Sequence, residues 1–115
     1  KKKITHPVLE PGALALVAGR FRVLGDPSRL RLLNLLMQRE SSVNELVELS
    51  GLSQTNVSRH LGLLRREGLV SRTRDGNRAV YRISDPTIER LCLLVCGGLS
   101  DQLNQGLDAL QGGSI

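Results

Sequence analysis

The chain is nearly devoid of aromatic residues, with one Phe, one Tyr and no Trp in 115 positions. Its apolar mass comes instead from 23 leucines, and aliphatic side chains at helical spacing favour helices over a sheet sandwich. Cysteine is as scarce. Cys92 and Cys96 are the only two, so there is no disulfide framework, and in a reducing compartment a thiol pair serves packing, redox chemistry or metal binding. Long apolar runs are missing as well. No stretch approaches the roughly 20 residues that cross a bilayer, and Lys1-Lys2-Lys3-Ile4 lacks the apolar segment of a secretory signal. A cytoplasmic protein without a membrane partner is expected. Catalytic machinery is absent too: no Gly-rich phosphate loop follows a strand, nothing brings His6 to His60, and no Ser or Cys has an identifiable base. The expectation is a non-enzyme without a cofactor.

What is present fits one domain. A chain of this length leaves no room for a second substantial core. The expected division is a flexible basic N-terminus over residues 1–10, a folded domain over 11–110 and a flexible tail over 111–115. The net charge of +5 is unevenly spread. Residues 4–52 balance five Arg against five acids, whereas residues 53–82 hold seven Arg against Glu67 and Asp75. Residues 83–115 are net acidic. A local field made entirely of guanidinium groups suits a polyanion, because each can fork onto phosphate oxygens or guanine edges. A solvated basic face on an ordinary domain would give the same tally.

The periodicity places helices in order. The first begins near Pro11 and runs to Leu24, with Leu14, Val17, Ala18, Phe21 and Leu24 on one stripe. The second opens on the cap-and-proline pair Asp26-Pro27 and carries Leu30, Leu33, Asn34 and Met37, broadened by Leu32, Leu35 and Leu36. Ser42 and Glu45 have capping-box spacing ahead of a short helix that Gly51 ends. Ser53 caps a further helix from about Gln54 to Glu67, closed by Gly68. The period then changes to alternation, giving strands Leu69 to Arg74 and Arg78 to Ile83 around Asp75-Gly76-Asn77. Asp85-Pro86 starts a last long helix, which continues to about Leu110.

Two helices joined by the tight turn Gly51-Leu52-Ser53, followed directly by a basic hairpin, make a helix-turn-helix with a wing. At 100° per residue, Val57, Leu61 and Leu64 point inward, and Thr55, Ser58, Arg59 and Gly62 outward. Short polar side chains around one Arg form a usable base-reading surface. Arg74 and Arg78 flank the hairpin tip, with Arg72 and Arg82 behind them, as candidate phosphate or minor-groove contacts. Gly62 departs from expectation, since glycine costs a helix roughly 1 kcal/mol relative to Ala.

Three stretches together resemble the ArsR/SmtB family of winged-helix repressors: Leu24-Gly25-Asp26-Pro27-Ser28-Arg29-Leu30-Arg31-Leu32-Leu33, Ser53-Gln54-Thr55-Asn56-Val57-Ser58-Arg59-His60-Leu61, and Leu64-Arg65-Arg66-Glu67-Gly68-Leu69-Val70. The wing ending Val80-Tyr81-Arg82-Ile83 is similar, and the likeness covers roughly residues 13 to 105. It implies a mainly α fold of about five helices plus a two-stranded wing, a homodimer built on the first and last helices, and an inverted-repeat operator released by an inducer. It also implies DNA contact at Ser53, Gln54, Thr55, Ser58, Arg59 and His60. Two of these have competing readings: Ser53 as a helix cap and His60 as a packed, hydrogen-bonded side chain.

The family's sensor sites are not reproduced. Arsenite sensors of this family place thiols in the helix before the recognition helix, where this chain reads Glu45-Leu46-Val47-Glu48-Leu49-Ser50. Zinc sensors place His with acids in the last helix, where this chain has Asp85 and Asp101 but no His, so no zinc site is expected. Cys92 and Cys96 remain, spaced i, i+4. Their Cβ atoms should lie about 5–6 Å apart, too far for an unstrained disulfide. Extra sulfur atoms, a thiophilic ion or a partner helix fits that gap better. Two readings stand: inert packing, and a thiol sensor for oxidants, reactive sulfur or arsenite-like metalloids. A winged-helix module for protein association or RNA binding is the competing functional class.

Overall fold

The computed structural model describes the backbone of residues 7–112 and the side chains of residues 7–106. Lys1 to Lys3 and residues 113–115 lie outside this range. Five helices and a small sheet follow the expected order: α1 (Pro11–Leu24), α2 (Pro27–Gln38), β1 (Ser41–Ser42), α3 (Val43–Ser50), α4 (Gln54–Arg66), β2 (Val70–Asp75), β3 (Arg78–Ile83) and α5 (Pro86–Gly112).

The punctuation works as local chemistry dictates. Asp26 caps α2 by accepting from the Arg29 backbone N–H at 3.0 Å. Ser42 and Glu45 form a reciprocal capping box on α3, with Ser42 N–H to Glu45 Oε1 at 2.8 Å and Glu45 N–H to Ser42 Oγ at 3.2 Å. Ser53 caps α4 through the Asn56 N–H. Gly51 ends α3 at φ +75 and Gly68 follows α4 at φ +77, conformations that burden any side chain. At the hairpin tip, Gly76 has φ +65 and Asn77 does not turn positive. Glycine at the first of two turn residues suits the twist of paired strands.

The sheet differs from the expected two-stranded wing. β1 pairs antiparallel with β3, Ser41 opposite Tyr81 and Ser42 opposite Val80, giving the order β1-β3-β2. Two serines carry no alternating apolar pattern, and only tertiary pairing makes them a strand. Ser41 is buried in this contact.

The core is compact and aliphatic. Leu32, Leu33, Leu46, Val57, Leu61, Leu64 and Leu69 have no exposed surface, and Tyr81 is buried beside them. The first and last helices contribute little. From α1 only Val23 and Leu24 reach the core, while Leu14, Val17 and Phe21 of the expected stripe are exposed. α5, about 40 Å long at 1.5 Å per residue, buries Ile88 and leaves Leu93, Leu94, Val95, Leu99 and Leu103 open.

Three arginines tie the periphery to this core by accepting the task of C-terminal capping. Arg29 donates to the carbonyls of Val23 (2.6 Å) and Arg22 (3.4 Å) at the end of α1. Arg31 donates to Ser50 and Leu49 at the end of α3. Arg20 bridges Glu67 O, just after α4, and Asp85, just before α5, both at 3.2 Å. Each places a cation where a helix leaves carbonyls unpaired.

Leu61→Ala should destabilise the protein by about 2–5 kcal/mol, the usual cost of emptying a fully buried leucine site. Urea unfolding at fixed protein concentration measures it, and a loss below about 1 kcal/mol would contradict the core described here.

Candidate nucleic-acid interface

α4 presents two chemically distinct sides. Val57, Leu61 and Leu64 are buried, whereas Gln54, Thr55, Ser58 and Arg59 are exposed on the opposite side. Ser53 is exposed and acts as the cap, which leaves the first turn facing solvent. Arg59 donates to Asn56 Oδ1 at 3.0 Å, so its guanidinium is drawn back along the helix toward this turn. Asn56 was not among the expected site residues. Its role becomes visible only once the helix places it three positions before Arg59.

His60 is a packed side chain. It is 6% exposed, and its Nδ1 lies 3.5 Å from Arg29 Nη1. Arg29 donating to Nδ1 requires the neutral ring with its proton on Nε2. Burial first, and then the charges of Arg59 and Arg29, hold the imidazole pKa below its ordinary value, with Asp26 acting in the opposite sense. At 100° per residue His60 lies at the flank of the apolar stripe, and the contact with Arg29 of α2 puts it on the buried side.

The wing arginines also divide. Directly opposed residues of an antiparallel pair share a face. The register Arg72↔Tyr81 and Arg74↔Ala79 therefore puts Arg72 and Arg74 on one face. Ser71↔Arg82 and Asp75↔Arg78 put Arg82 and Arg78 on the other. Arg72 and Arg74 are exposed and have no ion pair among the described residues. Arg82 donates to Ser71 Oγ at 3.3 Å. Arg78 is committed elsewhere: its Nη2 lies 3.3 Å from Glu45 Oε1, on α3. The Ser42 backbone N–H is the main cause that holds the Glu45 carboxyl below the usual range, and Arg78 and Arg39 add to it.

A second feature shares none of these residues. α1, α2 and α5 border an open apolar groove of about 540 Å³, lined in part by Phe21, Leu30, Met37, Leu91, Cys92 and Cys96. Leu30 and Met37, expected on the same stripe as Leu33, turn toward this groove while Leu33 enters the core. Cys92 is half-buried and Cys96 exposed. Burial, and secondarily the neighbouring Cys96, push the Cys92 thiol pKa up. Both expected sensor residues therefore line the same groove.

A short helix, a left-handed glycine turn, an exposed polar helix and a basic hairpin together define a winged helix-turn-helix DNA-binding protein. The profile of the bacterial regulatory protein, arsR family, matches residues 26–72. The sequence is 40% identical over 104 residues to the uncharacterised HTH-type transcriptional regulator Rv0081 of Mycobacterium tuberculosis, spanning 86% of this chain and 91% of that one. The crystal structure of Rv0081 matches with a TM-score of 0.77 at 39% identity, over 86% of this chain and 99% of the other. A homodimeric winged helix-turn-helix domain of Mb0332 from Mycobacterium bovis, described as a possible ArsR-family regulator, matches with a TM-score of 0.76 at 30% identity, over 90% and 95% of the two chains. The antimony-specific transcriptional repressor AntR matches with a TM-score of 0.76 at 27% identity, over 87% and 91%. The chain belongs to the ArsR family of bacterial regulatory proteins and is a DNA-binding transcriptional regulator, not an enzyme. Among the described residues no helix is long and apolar enough to cross a membrane.

Two expectations follow from α4. A Cβ at Gly62 would meet only Arg66 Nη1 at 3.6 Å, so Gly62→Ala should raise stability by about 1 kcal/mol. An unchanged or lower urea midpoint would show a constraint on this helix that the free protein does not display. For His60, the folded state resists protonation. As pH falls through the ordinary imidazole range the unfolded chain takes up a proton that the native ring refuses, and stability declines. Between about pH 7.5 and about pH 5.5 the melting temperature should therefore fall less in His60→Asn, which retains an acceptor but does not titrate, than in the parent.

Proposed function

We propose that the protein is a homodimeric repressor that occupies an inverted-repeat operator through α4 and the wing and leaves it when an inducer engages Cys92 and Cys96. The observation that carries this reading is the separation of two surfaces. Gln54, Thr55, Ser58 and Arg59 on α4 and Arg72 and Arg74 on the wing are exposed, and the apolar groove that both thiols line contains none of them.

Dimerisation accounts for what the single chain leaves open. Leu14, Val17 and Phe21 on α1, and Leu93, Leu94, Leu99 and Leu103 on α5, are exposed in numbers that a lone subunit does not sustain. The Mb0332 relative is described as homodimeric. A twofold dimer sets its recognition helices about 34 Å apart, so half-sites fall about one helical turn from each other. In each half-site, Ser53 and its free first-turn N–H groups meet a phosphate, Thr55, Ser58 and Arg59 read base edges, and Arg72 and Arg74 meet flanking phosphates.

The thiol chemistry follows from burial. A thiol held protonated reacts slowly with oxidants, because the thiolate is the nucleophile. It suits a trihydroxy metalloid better: two S–H groups replace two hydroxyls of the metalloid, forming two metalloid–sulfur bonds and releasing two waters without any change of oxidation state. Reactive sulfur that bridges the two Sγ atoms is the other fit to the i, i+4 gap. The relative AntR is named for antimony.

Fluorescence anisotropy on a duplex from upstream of the protein's own gene separates these outcomes. Arsenite should lower the affinity of the reduced protein at least tenfold, with recovery on adding a dithiol, and Cys92→Ser and Cys96→Ser should bind and ignore arsenite. A persulfide donor acting in its place would assign reactive sulfur. Parent and variants that behave alike under every reagent would remove the cysteines from sensing. On the same duplex, Arg59→Ala should relax preference at one position per half-site by about 1–3 kcal/mol. Arg74→Ala should weaken all sequences alike and flatten the salt slope by about one.

A further inference from the structure

Glu45 holds an arginine of the wing that the other wing charges leave unmatched. It sits at the third position of α3, where the capping box fixes its carboxylate: Oε1 accepts the Ser42 N–H at 2.8 Å. The same oxygen lies 3.3 Å from Arg78 Nη2, and Oε2 lies 3.5 Å from Arg39 Nη2. One immobilised carboxylate thus faces two guanidinium groups, from β3 and from the residue that follows α2. Arg72 and Arg74, on the other face of the hairpin, have no such partner among the described residues.

The geometry points to Glu45 as a specificity-determining residue of the DNA interface: it stands in for a phosphate and keeps Arg78 from contacting DNA unless the duplex presents a phosphate correctly placed to displace it. Carboxylate and phosphate offer the guanidinium the same pair of acceptor oxygens. Arg78 is exposed and Glu45 half-buried, with side-chain exposures of 54% and 32%, so water already competes for the guanidinium and exchange for a well-placed phosphate costs little. An open cleft of about 250 Å³ between the first turn of α3 and the wing tip, bordered by Asn44, Asn77 and Arg78, leaves the guanidinium accessible. On an arbitrary duplex no base contacts fix the protein's register on the backbone, no phosphate is held in place at Arg78, Arg78 stays with Glu45, and that charge adds nothing to counterion release. On the operator the exchange occurs. Glu45 thereby lowers non-specific affinity more than specific affinity and widens the ratio between them.

Glu45→Gln tests this without removing the cap, because Gln serves equally at the third position of a capping box. Affinities are measured against salt on two duplexes: one selected for tight binding from a random-sequence pool, and a scramble of it. On the scramble, Glu45→Gln should steepen the plot of log affinity against log salt by about 0.9, one more phosphate contact, and raise affinity several-fold at moderate salt. On the selected duplex the change should stay within about twofold. The double variant Glu45→Gln, Arg78→Ala should lose the gain on the scramble. Glu48→Gln, which removes the same charge from an exposed residue of α3 outside these ion pairs, should reproduce neither the steeper slope nor the lower ratio. An unchanged scramble slope, equal effects at Glu48 and Glu45, or a gain that survives loss of Arg78 would each overturn the proposal.

Discussion

The guanidinium of Arg29 joins three elements that would otherwise share only aliphatic contacts. It closes the carbonyl end of α1 through Arg22 and Val23, lies beside the Asp26 cap that begins its own helix, and reaches His60 on the far side of α2. Its side chain is 14% exposed, so these hydrogen bonds form where water competes poorly and an unmet partner is costly. Leucine packing is tolerant of small rotations. Directional bonds from one planar group are not, so Arg29 adds to the aliphatic contacts a fixed set of partners on α1, α2 and α4. The last turn of α1 also borders the thiol-bearing groove through Phe21 and Leu24.

The arginines of this chain follow two divisions of labour. Arg20, Arg29 and Arg31 sit where the running charge balances and serve as helix caps. Those of the basic segment remain on the surface, and within them the hairpin register separates Arg72 and Arg74 from Arg78 and Arg82. A charge tally along the sequence located the basic segment. It does not show that Arg78 belongs to a carboxylate on α3, because that pairing spans 33 residues and depends on where the wing folds back.

The same distinction explains what could be read in advance. Asp26, Ser42 with Glu45, Ser53, Gly51 and Gly68 act within a few residues of themselves, and the helices begin and end where these residues place them. The inward set of α4 was equally legible from its period. β1 was not, since Ser41 and Ser42 are strand only by virtue of Tyr81 and Val80 opposite. His60 lies on a boundary of the helical projection, where period alone does not decide burial, and the side chain that claims it, Arg29, lies 31 residues away. The exposed stripe of α1 shows a further limit: periodicity identifies an apolar face but not the molecule that covers it.

The near absence of aromatic residues has a practical side. Tyr81 is the only tyrosine and there is no tryptophan. It is buried at the centre of the three-stranded sheet, between Ser41 on one side and Arg72 on the other. Excited beyond the absorption of phenylalanine, the native protein therefore emits from one residue per chain, in the middle strand of the sheet. That position can be read by fluorescence with no label attached.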